Sequence, residues 1–86
     1  MKKSKELLEL LQDVAGDHEF QFDYDLGYNV DSNVKFILNT PKVLKVVLTG
    51  IKSDYDHDIA MEEADGEDVK YLKPILNEVE SLLKDL

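Results

Sequence analysis

Hydrophobic positions in this chain recur with two different periods. Between Ser4 and Gly16, Leu7, Leu8, Leu11 and Val14 lie at helical spacing, with Leu10 broadening the stripe. Ser4 stands where an N-cap belongs and Gly16 where a left-handed C-terminal cap would fall. From Glu19 to Tyr28 the period drops to two. Phe20, Phe22, Tyr24, Leu26 and Tyr28 alternate with Glu19, Gln21, Asp23, Asp25 and Gly27, which predicts a strand with one buried face. Gly27 and the polar cluster from Asn29 to Asn33 predict a turn or bulge. After it, Val34, Phe36 and Leu38 carry the alternation on against Asn33, Lys35, Ile37 and Asn39.

Asn39-Thr40-Pro41-Lys42 interrupts that pattern, with Pro41 suited to the second position of a type I turn. The β-branched run from Val43 to Thr49 then predicts a third strand, with Leu44, Val46 and Leu48 on one face and Val43, Lys45, Val47 and Thr49 on the other. Beyond Gly50, Ile51, Ser53, Tyr55, His57, Ile59 and Met61 alternate with polar residues as in a fourth strand, and Glu62 to Asp68 is acidic enough to be a loop. The last segment carries Val69, Leu72, Leu76, Val79, Leu83 and Leu86 at steps of three and four, widened by Ile75 and Leu82. It predicts an amphipathic helix that begins near Lys73 or is kinked there, because Pro74 cannot sit in a helix interior. The expected fold is α+β: helix, antiparallel meander of three or four strands, helix, with both helices on one face of the sheet.

Composition narrows what such a fold could do. The 86 residues and 9.8 kDa describe one small domain, 1–86, whose thin core leaves little room for a deep substrate pocket. An enzyme is not expected, and no cofactor motif is present. Absence of Cys excludes a disulfide scaffold, a thiolate metal site and a thiol nucleophile, and suits a reducing cytoplasm. The start, with Lys2 and Lys3 before Leu7-Leu8-Glu9-Leu10-Leu11, lacks the unbroken apolar core of a leader, and no run is long enough for a membrane span. A cytoplasmic location is expected.

The formal net charge is -9, and every cation is a lysine. Nucleic acid and anionic membranes should be repelled, which leaves a basic protein as the expected partner. The excess is concentrated. Residues 54–68 hold Asp54, Asp56, Asp58, Glu62, Glu63, Asp65, Glu67 and Asp68 without a lysine, and residues 13–25 hold Asp13, Asp17, Glu19, Asp23 and Asp25, also without one. On the predicted sheet these acids lie on the first and last strands of the open face, around a strip of Ile37, Val43 and Val47. Two readings stand. Such acids solvate a face and protect sheet edges, or they form the electrostatic rim of an interface whose apolar centre is that strip.

Size, acidity, lack of Cys and the helix, strands, helix order together resemble small acidic phage-encoded inhibitors, including anti-CRISPR proteins that occupy a nuclease's DNA-binding groove. The resemblance lies in architecture and charge, with no motif behind it. It implies that the chain masks a Cas-type nuclease or another DNA-processing protein in the host's cytoplasm, acting as a DNA mimic through Asp23, Asp25, Asp54, Asp56, Asp58, Glu62, Glu63 and Asp65; a monomer or weak homodimer is expected.

Two alternatives come from other classes. A structural or assembly protein could self-associate through Ile37, Val43 and Val47. Asp54-x-Asp56-x-Asp58, followed by Glu62 and Asp65, resembles a calcium loop over residues 54–65, although Ile59 replaces the glycine that loop needs. His18 and His57 fall in phase with apolar residues and read as partly buried, hydrogen-bonded side chains.

Overall fold

A computed structural model describes residues 4–86; Lys2 and Lys3, with the start of the chain, lie outside them. The described residues form five helices, α1 (Lys5–Ala15), α2 (His18–Asp23), α3 (Val30–Asn39), α4 (Pro41–Ala64) and α5 (Lys73–Lys84), and no strand. The expected α+β meander is therefore replaced by an all-helical chain. The chain divides into two compact units, one ending at Val47 and the other Leu48–Leu86. Helix α4 gives residues 41–47 to the first and 48–64 to the second.

In the first unit the ends of the helices are set by short polar side chains. Ser4 accepts from the Leu7 amide at 3.1 Å, Asp17 from Phe20 at 3.1 Å and Asn29 from Ser32 at 3.0 Å, each satisfying an amide with no partner inside its helix. Ser4 caps α1 as expected. Gly16 closes α1 with φ -90, not in the left-handed region, because the chain passes directly to the cap of α2. The left-handed position lies later, at Asp25 with φ 54. There the Leu26 amide reaches back to Gln21 O and the Asp25 amide to Phe22 O, which is the Schellman closure of α2.

The segment read as the first strand is thus a capped helix and its C-terminal turn. Its buried position is Gln21, the residue the alternation placed on the wet face. Burial follows helical steps, with Phe20 and Tyr24 half-buried one turn apart and their rings 4.8 Å apart, while Phe22 is 87% exposed. Helix α3 repeats the inversion. Asn33 and Ile37, four residues apart, are buried, and Val34, Phe36 and Leu38 are only half-buried. Thr40 is extended, as a residue before proline must be, and Pro41 opens α4, where its missing N–H costs nothing.

Helix α1 packs on α3 and α2, with Leu7, Leu11, Ala15 and Ile37 fully buried. Each leucine so placed contributes about 1.5–3 kcal/mol. Along α4, Val43, Leu44, Val47, Leu48 and Ile51 are buried at the i, i+1, i+4, i+5, i+8 spacing of a helix face, and Val46 is left 61% exposed. A β-branched run disguised that period.

In the second unit, Val69, Ile75, Val79 and Leu82 join Leu48 and Ile51 among the buried residues. Pro74 falls in the first turn of α5, which begins at Lys73 as expected. The buried line of α5 is Ile75, Val79 and Leu82, shifted from the expected stripe; Leu72, Leu76 and Leu83 are half-buried and Leu86 is exposed. Gly66, with φ 79, closes α4: the Glu67 amide bonds Glu62 O and the Gly66 amide bonds Glu63 O. No helix of the described residues is long and apolar enough to cross a membrane.

Candidate functional site

The two acidic stretches, 13–25 and 54–68, lie one in each unit. In the second unit, Asp54, Asp56, Asp58, Glu62 and Glu63 lie on the C-terminal half of α4 and Asp65 just beyond it. On a helix, residues four apart share a side, so Asp54, Asp58 and Glu62 form one stripe with steps of ~6 Å, and Asp56 and Glu63 fall on the other side. The stripe flanks the half-buried side chains of Tyr55 and Ile59. Asp56 is engaged by Lys52 at 2.8 Å, and this hydrogen bond and the carboxylate's charge hold the lysine above its ordinary pKa. Glu62 accepts from the Tyr71 hydroxyl through both carboxylate oxygens, at 2.9 and 3.0 Å. That bond, ahead of slight burial and the nearby charges of Glu62, Glu67 and Asp58, raises the Tyr71 phenol. Burial first, and then Asp58, raises Tyr55.

In the first unit the acids surround α2, which has a hollow on either side. One, of about 420 Å³ and wide open, is lined by Asp13, Val14, Asp17, Glu19, Phe20 and Asp23. The other, of about 560 Å³ and more enclosed, is lined by His18, Glu19, Gln21, Phe22, Asp25, Leu26 and Tyr28. Beneath the second lies a buried amide network. The Ala15 carbonyl, unpaired at the end of α1, accepts from Gln21 Nε2 at 3.0 Å and Asn33 Nδ2 at 3.1 Å, and Asn33 Nδ2 also donates to Gly27 O at 2.8 Å. Both donors of Asn33 are used. Gln21 Oε1 is buried with no donor.

The remaining expected positions are placed differently. Ile37, Val43 and Val47 are 0%, 6% and 7% exposed, so the apolar strip of an open sheet face is interior, and self-association through it has no surface to use. Asp54, Asp56 and Asp58 lie on helix where a calcium loop must be irregular. Among the described residues, no three His, Asp or Glu side chains converge on a point that could hold a metal ion. His18 and His57 are exposed, and the His18 ring meets the Tyr28 ring edge-on with centroids 6.0 Å apart. Asp23 and Asp25 line different hollows. Sequence reasoning overlooked Gln21, Phe22 and Tyr28 as site residues. The available signal was Asp17, Phe20, Gln21 and Tyr24 at steps of three, one and three, a helical face with a cap at its start.

No family model, no curated protein and no solved structure matches the chain.

Proposed function

We propose that the chain is a non-enzymatic acidic binding protein that masks or inhibits a basic, nucleic-acid-binding protein surface. Its partner class is a Cas-type nuclease or another DNA-processing protein, met in the cytoplasm in the manner of a phage anti-CRISPR inhibitor. The architectural part of that likeness fell with the sheet, so the reading rests on charge. One observation carries it. Helix α4 sets five carboxylates between Asp54 and Glu63, about 13.5 Å of helix axis, a mean axial step of ~3.4 Å counted around the whole helix. A single DNA strand carries one phosphate per ~3.4 Å, so the helix matches the linear charge density that a basic groove is built to receive.

Counted on one side alone, Asp54, Asp58 and Glu62 step by ~6 Å, close to the ~6.7 Å between same-side residues of a strand, so the match to a DNA strand uses both sides of the helix. The helix spreads its acids over two sides, which suits a groove that wraps rather than a flat patch. The partner's lysines and arginines would exchange counterions for these carboxylates, so binding should weaken with salt.

The test is competition. The protein is titrated into a Cas-type nuclease holding a labelled DNA duplex, at about 50 and 200 mM salt. The wild type should displace the DNA and the triple variant Asp54→Asn, Asp58→Asn, Glu63→Gln should do so at least about tenfold less well, with a shallower salt dependence. Equal displacement by both proteins with equal salt slopes would overturn the reading.

A further inference from the structure

The hollow on the Asp25 side of α2 contains an incomplete hydrogen-bonding set. Gln21 is 4% exposed, lines the hollow, and spends its Nε2 on Ala15 O, while its Oε1 has no donor. A buried acceptor left unmet is costly, so a ligand that brings an N–H there is favoured over one that does not. Around it stand two carboxylates, Glu19 and Asp25, and two rings, Phe22 and Tyr28, which are 87% and 84% exposed. Beside a hollow of about 560 Å³ the Phe22 ring stands bare and the Tyr28 ring meets the His18 ring edge-on, so both leave flat surface for stacking.

From this set the geometry points to a binding site for the arginine side chain of a basic protein partner. A guanidinium has five N–H donors in one plane, so it can serve carboxylate and amide acceptors on more than one edge, and its faces stack on aromatic rings. Residues 13–25 carry five carboxylates and no lysine, so the local field favours a cation over a neutral donor. A lysine ammonium would meet the charge but not the rings or the spread of acceptors. Because Gln21 Oε1 is fully buried, the incoming group must part side chains at the mouth, and the exposed Phe22 ring is the one least held in place.

This site deepens the proposed function and rests on its assignment of a basic protein partner, but it lies in the first unit, away in sequence from the carboxylates of α4. That separation makes the two failures distinguishable. The probes are a blocked Gly-Arg-Gly peptide and its Gly-Lys-Gly counterpart, titrated into the isotope-labelled full chain and followed by amide and side-chain NMR. The arginine peptide should shift Gln21, Phe22, Asp25 and Tyr28, including the Gln21 side-chain amide, and bind about tenfold more tightly than the lysine peptide. Phe22→Ala and Asp25→Gly should each weaken it several-fold. Both substitutions are compatible with the fold, since Phe22 is exposed and glycine takes φ 54 without strain. The triple variant on α4 should leave it unchanged.

Equal shifts from both peptides, shifts confined to α4, or indifference to Phe22→Ala and Asp25→Gly would each overturn the site. A Gln21 side-chain amide that does not shift as the arginine peptide is added would do so as well. If the arginine peptide binds as described but the protein displaces no DNA from a nuclease, the site stands and the proposed function fails.

Discussion

Tyr71 shows how one side chain can tie a connector to a helix and be read in solution. Its hydroxyl donates to both oxygens of Glu62, and the phenol is held above its ordinary value chiefly by that bond. Because the folded chain favours the protonated phenol, this stabilisation is fully present below the ordinary phenol pKa and is lost as pH rises through the raised value. Titrating phenolate absorbance should show Tyr55 and Tyr71 ionising above the ordinary phenol value. Glu62→Gln should bring Tyr71 back toward the ordinary value and leave Tyr55, whose shift comes from burial and Asp58, in place. A titration curve unaffected by that substitution would mean the bond does not form in solution. None of this was legible beforehand, because Tyr71 and Glu62 are nine positions apart and the acidic stretch read only as a loop. Gln21 and Asn33 were hidden for a different reason. Buried amides break the hydrophobic pattern that reveals a core, and the pattern cannot show that Ala15 O and Gly27 O need donors.

At the level of elements, the two terminal helices were legible and the middle of the chain was not. Helices α1 and α5 combine a leucine stripe with an end signal, Ser4 in one and Pro74 in the other, so propensity and pattern agree. Helices α2, α3 and α4 set them against each other. Their aromatic and β-branched residues favour strands, and alternation at Phe20 to Tyr28 and at Ile51 to Met61 satisfied a period of two, while Val43, Leu44, Val47, Leu48 and Ile51 already carried the helical one. Tertiary burial decided for the helix.

Helix α4 also carries its charge at the wrong end. Carboxylates disfavour a helix C-terminus, yet Glu62 and Glu63 stand in the last turn, which has no basic residue. Glu63→Lys should therefore stabilise the protein by about 0.3–1 kcal/mol, measured by urea unfolding, and a loss of stability would show that the dipole argument does not govern this end. A placement that costs stability is consistent with carboxylates kept for binding, which is the proposed function seen from the side of the helix.

For the whole molecule, net charge was readable at once and its arrangement was not. The two acidic stretches, 13–25 and 54–68, were found by counting, but the count could not say that they fall in different compact units or that the second wraps a helix. At -9, self-repulsion works against the compact state, and the Lys52–Asp56 pair, exposed and four residues apart on α4, offsets little of it. Melting followed by circular dichroism should then show Tm rising from low salt to about 0.15 M, where the screening length falls to ~8 Å. The triple variant Asp54→Asn, Asp58→Asn, Glu63→Gln removes three negative charges at exposed positions, so it should melt higher than the wild type at low salt and gain less from added salt. If it melts lower, these carboxylates hold the fold together and their loss from a binding assay would mean nothing. If it melts higher while failing to displace DNA, the loss cannot be blamed on unfolding, and the acids of α4 act on a partner at the expense of the chain that carries them.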